Sequence, residues 1–172
     1  MRATCAGLAA TLALVAACVS DRSDPVAPTV SQPGISASSW GPETPPFNFE
    51  AILRGENGAF GHVKVRQPND AETVFHIDPW VRGLEPNTSY RLQRAVDTDV
   101  NDVCTGTAWL TLGEGLTPKA IVTDDRGTGR AELWRTVTSP IGASFDVHFR
   151  VIADATGAVV LESACYQFVV TQ

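Results

Sequence analysis

Asp97-Thr98-Asp99-Val100-Asn101-Asp102 sets four carboxylate or carboxamide side chains within one short stretch. Hard oxygen ligands suit Ca²⁺, so Asp97, Asp99, Asn101 and Asp102 form a candidate calcium loop. The competing reading is a solvated acidic loop. A second acidic stretch, Asp124-Asp125-Arg126-Gly127-Thr128-Gly129, reads as a hairpin turn: Asp supplies turn bonds and Gly supplies positive φ. The three histidines, His62, His76 and His148, fall in separate alternating segments. No two of them share the HxH or HExxH spacing of a metal site, so isolated surface histidines are expected. There is no G-x-S-x-G, Walker or G-x-G-x-x-G motif. The residues thus assign no catalytic group, no metal and no cofactor, and a non-enzymatic protein is expected. Two alternatives stay open: a hydrolase or metal-dependent envelope enzyme on the same scaffold, and a calcium-stabilised adhesion module.

Trp80 and Trp134 are the other residues with binding chemistry. Trp134 shares the parity of Arg130, Glu132 and Thr136, opposite Leu133, and Trp80 follows Pro79 near a loop. Exposed together they would form a patch for glycan or protein; the alternative is a core or edge-covering role. The acidic loop itself is similar to the opening of an EF-hand, D-x-D-x-N. Its sixth position is Asp102 where that loop needs Gly, and its twelfth is Ala108 where it needs Glu, so an EF-hand is excluded.

The chain begins Met1-Arg2 and continues apolar from Ala3 to Ala17, broken by Thr4, Cys5, Gly7 and Thr11. One positive charge before a short apolar run is the composition of a signal segment. The run is shorter than the ~20 residues that span a bilayer. Its end reads Leu14-Val15-Ala16-Ala17-Cys18, which resembles the lipobox of bacterial lipoproteins. The resemblance implies cleavage before Cys18 and lipid on its sulfur. Several acyl chains then anchor stably where one would be marginal. Ordinary signal cleavage at the same bond is the alternative. The residue after Cys18 is Val19 and not Asp, which in the diderm pattern favours the outer membrane. Cleavage also removes Arg2, making the net charge one unit more negative than −6.

Residues Ser20 to Pro46 hold six of the eleven prolines, much of the remainder being Ser and Gly. No apolar period runs through them, so a disordered linker is expected, with Trp40 its one unusual residue. The organisation is therefore a signal peptide over 1–17, a lipidated Cys plus linker over 18–46, and a domain over 47–172. Of the four cysteines, Cys5 leaves with the signal and Cys18 is acylated. Cys104 and Cys165 remain, an even pair in an exported protein, and a disulfide is expected.

The domain that must position these residues is patterned as strands. Phe47, Phe49, Ala51 and Leu53 alternate with polar residues, as do Val63 and Val65. From Ser144 to Ile152, Phe145, Val147, Phe149 and Val151 take one face and Asp146, His148 and Arg150 the other. Val159 to Thr171 is apolar on both faces, as a central strand would be. Turn residues separate about nine such runs, which predicts an all-β, antiparallel β-sandwich. Leu84-Glu85-Pro86-Asn87-Thr88-Ser89-Tyr90 resembles the tyrosine corner of immunoglobulin-like and fibronectin type III domains, with Leu84, Pro86 and Tyr90 at the matching positions. The resemblance implies an immunoglobulin-like sandwich whose Tyr hydroxyl bonds back to the backbone.

Hydrophobic residues at 44% and charged residues at 19% exclude a wholly disordered chain. Nineteen acidic residues against thirteen basic ones exclude an electrostatic nucleic-acid binder. The function expected is a lipid-anchored, extracytoplasmic binding or structural module at the bacterial cell envelope. Its partners would be the membrane, through Cys18, and a protein or glycan.

Overall fold

The computed structural model describes residues 48–68 and 73–171. The expected signal peptide, Cys18, the linker with Trp40, and Phe47 lie outside the described residues.

Among the described residues the chain is all-β, with one 3-10 turn at Glu56–Gly58. Five strands carry most of the sheet: β1 (Asn48–Arg54), β2 (Phe60–Arg66), β3 (Val74–Arg82), β4 (Ser89–Asp97) and, later in the chain, β11 (Ser144–Ala153). Between β4 and β11 come five two-residue strands: β5 (Leu110–Thr111), β6 (Gly113–Glu114), β7 (Thr117–Pro118), β8 (Ile121–Val122) and β9 (Gly129–Arg130). They are followed by β10 (Leu133–Thr136), and the chain finishes with β12 (Val159–Ser163) and β13 (Tyr166–Val169). These short pieces explain why thirteen strands appear where alternation predicts about nine. Two residues are too few to show a period.

All strands join one hydrogen-bonded network in the order β5-β4-β11-β12-β1-β2-β3-β10-β6-β7, with β13 on β11, β8 on β4 and β9 on β3. Every pairing is antiparallel except the single β10–β6 contact. β5 and β6 lie near opposite ends of this path, yet only Leu112 separates them in the chain. The Leu112 N–H donates to the Leu92 carbonyl on β4 and the Gly115 N–H donates to the Trp134 carbonyl on β10, each at 2.9 Å. One short segment thus nearly closes the sheet on itself.

The core lies inside this curve, built from the alternating residues: Ala51, Leu53, Leu92, Ile121, Val151 and Leu161 are all buried. In β11 the inward set is the one that alternation predicts, Phe145, Val147, Phe149 and Val151. The run from Val159 to Thr171 is not one central strand. It breaks between Ser163 and Tyr166, and both pieces pair with β11. At the break two hydroxyls replace backbone acceptors. Ser163 Oγ accepts from the Phe149 N–H, and Tyr166 Oη accepts from the Ile52 N–H, both at 2.9 Å. The ladder can therefore be interrupted without leaving these donors unpaired.

Candidate functional site: an aromatic cavity with two arginines

The interior is not filled everywhere. A partly open cavity of ≈ 150 Å³ lies between β1, β3, β10, β11 and β13. Phe168 is its hub, with ring centroids 5.8 Å from Phe49, 5.0 Å from Phe75 and 5.4 Å from Phe145. The Phe49 and Phe75 contacts are edge-to-face, the arrangement that aligns ring edge with ring face. Ile77, Val147 and Phe149 extend the apolar wall. A cavity of roughly this size with apolar walls accepts a benzene-sized molecule.

Two arginines line the same cavity: Arg94 on β4 and Arg135 on β10. Both occupy the inward parity of their strands, Arg94 after Tyr90 and Leu92, Arg135 after Leu133. Arg135 donates to the Gly115 carbonyl at 3.1 Å. Arg94 has neither hydrogen bond nor carboxylate partner among the described residues. Burial, and then the charge of Arg135, push the Arg94 guanidinium pKa below its ordinary value. The remaining polar groups on the wall are the Thr136, Thr138 and Ser139 segments. A guanidinium donates hydrogen bonds and holds its proton, so this wall suits recognition rather than proton transfer.

Two of the four candidate calcium ligands spend an oxygen on the protein's own backbone. Asp97 Oδ2 accepts the Thr105 and Gly106 N–H groups, each at 3.0 Å. Asn101 Oδ1 accepts the Val103 N–H at 2.9 Å. Asp99 and Asp102 are exposed. Asp146, on β11 opposite Asp97, is fully buried and its Oδ2 accepts the Asn101 and Asp102 N–H groups at 2.9 and 2.8 Å. Strand alternation places Asp146 on the solvent face; the loop folding over that face is what buries it. Among the described residues no three His, Cys, Asp or Glu side chains are grouped to hold a metal ion.

The same loop ends on Trp109, whose ring lies 4.5 Å from the His148 ring and 4.0 Å from the Arg150 guanidinium carbon. His148 Nε2 is 3.0 Å from the Gly106 carbonyl, so it is a donor to the loop. His62 and His76 lie elsewhere, on the outer face of β2 and β3. His62 faces Trp80 across β2–β3 and His76 faces Trp134 across β3–β10. Trp80 and Trp134 thus share one outer face but are four residues apart along β3. Trp134 is 41% exposed and lies over Gly115, where a Cβ would come within 2.8 Å of the ring, and the φ of +61° favours glycine there as well. Trp80 is half-buried, with Phe60 at 6.2 Å and the Arg82 guanidinium at 5.7 Å.

Cys104 and Cys165 are joined, Cα atoms 5.3 Å apart, and tie this loop to the break between β12 and β13. At the Leu84–Pro86 turn the buried Tyr90 hydroxyl accepts from the Glu85 N–H at 3.0 Å. Thr123 completes that turn: its buried Oγ1 donates to the Glu85 carbonyl and accepts from the Thr88 N–H. No family model matches the chain, and no curated protein matches it. Among the described residues no helix is long and apolar enough to cross a membrane.

The cavity arginines, Arg94 and Arg135, and the hydroxyl of Tyr166 are absent from the motif-based reading. Parity holds the signal for both arginines, since each sits where its strand places apolar residues.

Proposed function

We propose that this chain is a lipid-anchored binding module of the bacterial envelope: an immunoglobulin-like β-sandwich joined through a proline-rich tether to an acylated Cys18. The Leu14-Val15-Ala16-Ala17-Cys18 run after the apolar segment supports the anchor. The sandwich reading is supported by the Tyr90 hydroxyl bond at the Leu84–Pro86 turn, and by a core enclosed between β4–β11 and β2–β3–β10. The observation that carries binding is the open aromatic cavity, because a folded domain gains stability by filling such space with its own side chains.

Two measurements test the two halves of this reading. Wild type is expected in the membrane fraction and Cys18→Ala in the soluble fraction; equal retention of both overturns the anchor. The full chain carrying Cys18→Ala, titrated with toluene, is expected to show amide NMR shifts concentrated at Phe49, Ile77, Val147 and Phe149. Shifts spread evenly over the surface, or none, overturn binding in the cavity.

A further inference from the structure

The cavity contains a charge arrangement that its apolar walls alone do not explain. Arg94 and Arg135 line the same space from β4 and β10, the two strands joined through the Leu112 segment, and Arg94 lacks a counter-ion among the described residues. Two like charges drawn together beside buried aromatic rings repel each other and are partly stripped of water. A protein under selection for stability alone would place apolar or oppositely charged residues there. The arrangement relaxes when a negative group enters between them. A carboxylate matches a guanidinium fork with paired, charge-assisted hydrogen bonds. Behind the charges, Phe168 and its three aromatic neighbours enclose space for a body of about benzene size.

We propose that the cavity binds a small organic carboxylate, with its charged head between Arg94 and Arg135 and its apolar tail among Phe49, Phe75, Phe145 and Phe168. This rests on the reading of the domain as a binding module and adds the chemical class of its ligand. The charged head supplies orientation and selectivity, while the ring pocket supplies apolar burial.

The test compares an acid with its neutral isostere. The full chain carrying Cys18→Ala is titrated calorimetrically with 3-phenylpropanoate and with 3-phenylpropanamide. The expected result is at least roughly tenfold tighter binding of the carboxylate, falling toward parity in Arg94→Gln and weakening as salt rises. Arg94→Lys, which keeps charge but loses the planar fork, is expected to fall between the two. Equal affinity of acid and amide for wild type overturns the carboxylate assignment and leaves the binding module standing. Binding of neither overturns both. The wild-type comparison needs no variant, so a poorly folded Arg94→Gln does not obscure the outcome.

Discussion

Arg94 lies partly buried beside Arg135 without a carboxylate partner among the described residues, so its charge is expected to cost stability. Replacing it with Gln removes the repulsion from Arg135 and the cost of partial desolvation. Without ligand, Arg94→Gln is therefore expected to melt higher than wild type, by a few degrees if about 1 kcal/mol is recovered. A scanning calorimetry trace with a lower midpoint would mean that Arg94 contributes packing that outweighs its charge. Tyr166 works in the opposite direction. Its hydroxyl supplies the acceptor for the Ile52 N–H where the ladder breaks. Tyr166→Phe leaves that donor unpaired, and a loss of about 1–3 kcal/mol is expected in urea unfolding. Legibility at this scale depended on what each residue contacts. Tyr90 could be read because its corner is local in sequence. Tyr166 could not, since its partner on β1 is 114 residues away.

At the scale of elements, the loop between β4 and β5 is held at several points. Asp97 and Asp146 bind its backbone, Trp109 stacks on Arg150, and Cys104 bonds to Cys165. The two cysteines are 61 residues apart, and a closed loop of that length constrains the unfolded chain by about 4 kcal/mol on the chain-entropy account. The paired substitution Cys104→Ser with Cys165→Ser is expected to lower the denaturant midpoint while leaving the native amide spectrum intact outside the loop. The antiparallel β4–β11 pair is fastened separately. Arg91 holds Asp154 through Nε at 2.7 Å and Nη2 at 3.0 Å, and this contact draws the Asp154 pKa below its ordinary value. A carboxyl with a depressed folded pKa stabilises fully above its unfolded value of about 3.9 and loses that contribution as pH falls through the lower folded value. Asp154→Asn should therefore be less stable than wild type at pH 7, and the gap should narrow when urea midpoints are compared below pH 3. Element boundaries were legible where alternation was long, as in β11. They were hidden where it was short, as in β6, β7 and β9. The run from Val159 to Thr171 misled because apolarity on both faces reads as one buried strand, whereas here it belongs to two strands meeting at a break.

For the molecule as a whole, closure depends on very little chain. Leu112 is fully buried between the strand that bonds β4 and the strand that bonds β10. Leu112→Ala is expected to cost about 2–5 kcal/mol through the space it leaves. Its slowest-exchanging amides should lose protection in both halves at once, which hydrogen exchange can follow residue by residue. The sheet order has another consequence. β1, the first strand among the described residues, is not at an edge; it lies between β12 and β2, and its register with β2 runs from Asn48–Arg66 to Arg54–Phe60. A pull directed along the β1 axis would load its ladder bonds with β2 in shear. On the proposed tether, tension would therefore enter a strand hydrogen-bonded on both sides and not an edge strand.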